Sequence, residues 1–125
     1  VRLLLDTHAF LWWMADKARL SDRARVEIGA ARAVVFLSAV VCWEIVLKQA
    51  RGRLDAPSDF AAAARDNRFT VLPIGLPHVQ AVRELPIVHA DPFDRLLVAQ
   101  AVVEGLTLVT RDAEIGRYEI PVLAA

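Results

Sequence analysis

Cysteine is nearly absent from this chain of 125 residues: Cys42 is the one example, which rules out an intramolecular disulfide and any zinc site built from cysteines. It lies in the apolar stretch Val40–Leu47, the surroundings of an inert core thiol rather than a reactive one. Long hydrophobic runs are missing too. Although 56% of the residues are apolar, charges interrupt them every few positions. No stretch approaches the roughly 20 apolar residues of a membrane span. The opening Val1-Arg2-Leu3-Leu4-Leu5-Asp6 is too short and too soon acidic for a signal peptide; it reads as a first strand, and the expected location is the cytoplasm. No repeat, low-complexity tract or linker interrupts residues 1–125, a length that suits one domain with a core of its own. Net charge is the last absence, 15 basic residues balancing 15 acidic ones, and it argues against a strongly basic nucleic-acid clamp. It leaves room for a local rim of arginine, which supplies nearly all the positive charge and whose fork suits phosphate oxygens.

What the chain does have is a regular alternation. Apolar runs at Leu3–Leu5, Val34–Leu37, Phe69–Leu72, Leu106–Val109 and Ile120–Leu123 read as strands. Helices are expected at His8–Met14, from Ser21-Asp22 to Ala31, from Ser38 to near Gly52, from Pro57-Ser58-Asp59 to Asn67, at Pro77–Leu85 and from Pro92 to Glu104. Gly105 should end the last of these, and Asp112–Gly116 should form a helical turn. Strands that are apolar at every position, alternating with helices, mark an α/β fold with a parallel sheet covered on both faces. In such open sheets, function gathers at the carboxyl ends of the strands.

Four acids stand where these runs give way to helices: Asp6, Glu44, Asp94 and Asp112. Each has a plain structural reading. Asp6 and Asp112 suit helix caps, Asp94 suits a first helical turn, and Glu44 can pair with Lys48 one turn on. Burying a carboxylate among Val, Leu and Trp is nevertheless costly unless something positive satisfies it. One shared cation explains all four at once. Carboxylate oxygens suit hard divalent ions such as Mg2+ and Mn2+, whereas His8, His78 and His89 lack zinc spacing. Such a metal suits phosphodiester hydrolysis, because it acidifies bound water and draws charge from the attacked phosphate.

At these residues the chain resembles the PIN-domain ribonucleases, specifically the VapC-type toxins of bacterial type II toxin–antitoxin systems. The resemblance is carried by Leu5-Asp6-Thr7-His8 with Trp12-Trp13, by Ser38 and Trp43-Glu44-Ile45 with Lys48, and by Gly52-Arg53-Leu54. Its strongest blocks are Asp91-Pro92-Phe93-Asp94-Arg95-Leu96-Leu97-Val98-Ala99-Gln100-Ala101 and Leu108-Val109-Thr110-Arg111-Asp112. It implies a three-layer α/β/α sandwich with a central parallel sheet, and a Mg2+ or Mn2+ site whose acidic quartet falls on Asp6, Glu44, Asp94 and Asp112. Thr7, Ser38 and Thr110 fall where the family places polar support; Asp91 reads as a cap before Pro92. The resemblance further implies an RNA substrate, transfer or ribosomal, a homodimer, and a cognate antitoxin whose tail lies beside the active site. Candidate walls for that tail are the helices at Leu20–Ala31 and Val40–Ala50, with Trp12, Trp13 and Trp43 nearby.

Three other readings compete. A non-catalytic binding module on a degraded PIN fold is opposed by the presence of all four acids. A PIN nuclease working in RNA processing shares the chemistry but not the biology, and the short single-domain length favours the toxin. A phosphotransfer enzyme of the haloacid-dehalogenase type also begins with a strand ending in Asp. It needs a second Asp where His8 stands and a late lysine that the last third of this chain lacks.

Overall fold

Five parallel strands form one sheet in the computed structural model, which describes residues 1–52 and 55–125. They are β1 (Arg2–Leu5), β2 (Val34–Ser38), β3 (Thr70–Leu72), β4 (Thr107–Thr110) and β5 (Val122–Ala124), in the order β3-β2-β1-β4-β5. Among the described residues six α-helices flank the sheet: α1 (Thr7–Ala15), α2 (Asp22–Gly29), α3 (Ala39–Ala50), α4 (Phe60–Asp66), α5 (Leu76–Val82) and α6 (Pro92–Glu104). The result is the expected three-layer α/β/α sandwich. Arg53 and Leu54, part of the Gly52-Arg53-Leu54 motif, lie outside the described residues. Among the described residues no helix is long and apolar enough to cross a membrane.

The continuous apolar strands are the cause of this layering. Leu3, Leu4 and Leu5 alternate between the two faces of β1, yet all are fully buried, so both faces are covered. In the central register Leu3 stands between Val35 and Thr107, and Leu4 between Phe36 and Leu108. The chain builds outward from β1 through β2 to β3, then returns to place β4 on β1's other side. Strand order therefore reverses between β1 and β4, which opens a crevice at their carboxyl ends.

Caps fix where the helices begin. Ser21, Ser38, Asp59 and Asp91 each accept a backbone N–H of the helix they precede, and Pro92 occupies the first turn of α6. Gly105 ends α6 at φ +67, a left-handed backbone that glycine adopts without a Cβ penalty. The fourth and fifth strands lie further on than their apolar runs suggest. Pro121 has no N–H for the ladder, so β5 starts at Val122 while the Pro121 carbonyl accepts Leu108 N–H at 3.0 Å. The helical turn expected at Asp112–Gly116 also shifts. The Asp112 carboxylate accepts Glu114 N–H at 2.9 Å in a turn of its own, and a 3₁₀ turn follows at Ile115–Tyr118.

Candidate active site

Asp6 is the first residue beyond β1, and its environment makes it a cap and a buried acid together. Its backbone N–H continues the ladder to Val109 O at 3.1 Å, and its carboxylate accepts Ala9 N–H at 2.8 Å to start α1. The capping alternative is thus realised, yet the side chain also faces the crevice. Burial pushes its carboxyl above the ordinary range, and Asp112 adds to the rise. Hydrogen bonds from Thr110 and Ala9 and the nearby His8 pull the other way.

Thr110, the last residue of β4, links two of the acids. Its hydroxyl serves Asp6, and its oxygen accepts Asp112 N–H at 3.0 Å. Asp112 itself is exposed at the mouth. On α3, Glu44 is held at both oxygens: Thr7 donates to Oε1 at 2.6 Å, and Lys48 Nζ lies 2.8 Å from Oε2. The one-turn pair with Lys48 is therefore present, inside the cleft rather than on an open helix surface.

Asp94 sits in the first turn of α6, where Asp91 accepts its N–H at 3.0 Å. That bond bears out Asp91 as the cap. Burial is the main cause that pushes the Asp94 carboxyl up to about 7, followed by the like charges of Asp91, Glu44 and Asp112, with His89 opposing them. An acid raised by three other carboxylates marks a place where a cation would relieve repulsion.

All four acids line one cleft of about 550 Å³ at the reversal between β1 and β4. Positive charge rims it at Arg19, Lys48 and Arg111. The guanidinium carbons of Arg19 and Arg111 lie 5.1 and 4.5 Å from the Trp12 ring centroid, and Ala125 O accepts from Arg111 at 2.7 and 3.0 Å. Trp13 is instead tied to Asn67 at 3.0 Å, while Trp43 remains 49% exposed. Of the three hydroxyls, Thr7 and Thr110 bear on the acids. Ser38 lies outside the cleft, fully buried, capping α3 and bonded to Gln100.

His89 is the residue that sequence reasoning passed over, because it has no partner at zinc spacing. Its Nε2 is 3.5 Å from Asp94 Oδ2, and donor atoms of His89, Asp94 and Asp112 lie within 4.8 Å of one another. The turn His89-Ala90-Asp91-Pro92 carries it back to the start of α6. The available signal was its place five residues ahead of Asp94 in that turn. The cleft thus offers mainly oxygen donors, the chemistry that fits a hard divalent ion, with Asp6, Glu44, Asp94 and Asp112 as the candidate holders.

Residues 3–121 match the family model of the PIN domain. The chain is 26% identical to Ribonuclease VapC22 of Mycobacterium tuberculosis over 122 residues, covering 95% of this chain and 93% of that protein. Its fold is similar to that of VapBC2 from Rickettsia felis, solved bound to a promoter DNA fragment, with a TM-score of 0.72, 16% identity and 98% of both chains covered. It is also similar to DNA-bound VapBC from Salmonella typhimurium, with a TM-score of 0.68, 18% identity, and 98% of this chain and 97% of that one covered. With 119 consecutive positions matched (3 to 121 inclusive), the chain belongs to the PIN-domain family.

Proposed function

We propose that this protein is a Mg2+- or Mn2+-dependent endoribonuclease and the toxin of a type II toxin–antitoxin pair, acting in the cytoplasm on transfer or ribosomal RNA. The observation that carries the reading is the convergence of Asp6, Glu44, Asp94 and Asp112 on one cleft. The similarity to a protein named as a ribonuclease and to solved VapBC complexes supports the biology. A cognate antitoxin and a homodimer follow as the expected partners.

Asp6, Glu44, Asp94 and Asp112 would hold the ion, which when bound makes water more acidic and draws charge from a phosphate. The chain's own residues prepare the rest. Thr7 holds Glu44 by its hydrogen bond, while the Ala9 N–H, with Thr110 nearby, keeps Asp6 toward the cleft. Arg19 and Arg111 bring guanidinium groups to the edge of an acidic pocket, where an RNA backbone needs positive charge to approach. No cysteine nucleophile competes. Burial raises the Cys42 thiol to about 11, so it stays protonated at neutral pH.

Purified protein should cut structured RNA in Mg2+ or Mn2+, leave 5′-phosphate ends as water-driven hydrolysis does, and stop in EDTA. Cleavage that continues unchanged in EDTA sinks the mechanism. Growth arrest on expression, relieved by a co-expressed cognate antitoxin, tests the toxin assignment separately.

A further inference from the structure

We propose that His89 is a positioning residue for Asp94, locked in one tautomer by Tyr118 and Arg95; what Asp94 does rests on the metal-nuclease reading above. Tyr118 is buried, and its hydroxyl lies 2.9 Å from His89 Nδ1, with the rings edge-on at 5.4 Å. Arg95 Nη1 donates to that same hydroxyl oxygen at 3.3 Å. Arg95 is anchored in turn by Pro86 O at 2.9 Å and Val82 O at 3.3 Å. With its oxygen accepting the Arg95 N–H, Tyr118 keeps its own hydrogen free to donate to Nδ1. The ring proton then resides on Nε2.

Nε2 is buried and has no hydrogen-bond partner, and Asp94 Oδ2 stands 3.5 Å from it. A buried polar nitrogen without a partner is costly, and a bare lone pair facing Asp94 and Asp112 would be repelled. An N–H aimed at the carboxylate resolves both, and closing the gap by about 0.5 Å makes it a full hydrogen bond. Donor atoms of His89, Asp94 and Asp112 lie within 4.8 Å of one another, but an Nε2 that carries the ring proton has no lone pair to offer an ion, so His89 acts through Asp94. The contacts close a ring from Asp94 along the backbone to Arg95, through Tyr118 to His89, and back to Asp94. One turn of α6 is thereby tied to the orientation of its own acid.

The test measures Mn2+ affinity of the RNA-free protein by electron paramagnetic resonance, and kcat and KM for RNA cleavage, in His89→Leu, His89→Gln and Tyr118→Phe. Loss of an outer hydrogen bond to a ligand should weaken Mn2+ binding about tenfold in His89→Leu and lower kcat, with KM held within about twofold. His89→Gln places an amide N–H near the position of Nε2 and should restore affinity to within about threefold, whereas Tyr118→Phe should fall between. Unchanged Mn2+ affinity in His89→Leu overturns the proposal, as does a glutamine variant no better than leucine. If His89→Leu does not fold, an unchanged affinity in Tyr118→Phe overturns it instead. Mn2+ binding by wild type without RNA cleavage would sink the nuclease reading alone, and the affinities would still decide His89. A wild-type protein that binds no Mn2+ overturns both.

Discussion

Thr110 and Asp112 are joined at the end of β4 by a bond from the Asp112 N–H to the Thr110 hydroxyl oxygen, 3.0 Å long, while the same hydroxyl serves the Asp6 carboxylate. One short side chain thus ties together acids from two strands that are neighbours in the sheet but about a hundred residues apart in sequence. Valine at this position keeps the shape and removes both roles.

Thr110→Val should therefore cost about 1–3 kcal/mol of stability, since Thr110 is buried and the Asp112 N–H loses its acceptor. Cleavage should fall by about tenfold, because Asp6 loses the contact that orients it. Urea unfolding and a cleavage assay on the same preparation check the pair of effects. A variant equal to wild type in both would mean that the bridge holds nothing.

Asp94→Asn should abolish RNA cleavage and leave the fold intact, with a metal-free Tm equal to or above that of wild type. The reason is that Asp94 is surrounded by Asp91, Glu44 and Asp112, so losing its charge relieves repulsion. Asp6→Asn should behave alike, because an amide oxygen still accepts the Ala9 N–H that starts α1. Thermal melts in EDTA distinguish this from a purely structural role. A clear drop in Tm for Asp6→Asn would show that its charge serves the helix cap rather than a cation.

Stability without metal should fall as pH rises. Below an ordinary carboxyl pKa of 3.8, Asp94 is protonated in folded and unfolded chains alike; above it, the unfolded chain loses its proton while the folded one keeps it until about 7. Between these values the folded state binds more protons, so its advantage shrinks with each step in pH and is gone above about 7. Asp6, also raised by burial, adds in the same direction. The difference in Tm between wild type and Asp94→Asn, measured in EDTA, should widen against wild type from pH 5 to pH 8. Added Mg2+ should raise the wild-type Tm more at pH 8 than at pH 6, because fewer protons compete for the carboxylates. A pH-independent difference removes the electrostatic account.

The sheet was readable because its strands are apolar at every position, a pattern that only double burial explains. Leu3–Leu5 shows it most plainly. Asp6 and Asp94 stood out for the opposite reason, as charges placed where burial penalises them, whereas Asp112 is exposed at the mouth. Their gathering followed from topology, since β1 and β4 meet at the point where strand order reverses. Hydroxyls were harder. Thr7 and Thr110 touch the acids while Ser38 turns inward to Gln100, a difference set by side-chain direction at the strand end. His89 was illegible because its meaning depends on Tyr118, 29 positions later, and on an arginine that looks like any other in the sequence. β5 moved because Pro121 withholds a donor, and the helical turn after β4 moved because Asp112 turns the chain with its own carboxylate.

An inhibitory partner should reach the cleft over the ridge of α3 and deliver positive charge to the acids. Trp43, Val46 and Leu47, at the i, i+3 and i+4 positions of one helix face, are 49%, 49% and 40% exposed. They flank Glu44 and Lys48, which line the cleft, and Trp43 packs edge-on against Phe93, the neighbour of Asp94. An apolar ridge leading to an acidic pocket fits a peptide with apolar anchors followed by an arginine or lysine that pairs with the carboxylates. Trp43→Ala should weaken binding of a cognate antitoxin by about tenfold or more, as loss of an exposed aromatic anchor does. Asp94→Asn and high Mg2+ should each weaken it too, the first by removing the partner's counter-charge and the second by competing for it. Titration calorimetry with the co-expressed partner reads all three. Affinity that ignores both Mg2+ and Asp94→Asn would place the inhibitory contact away from the acids, whatever Trp43 does.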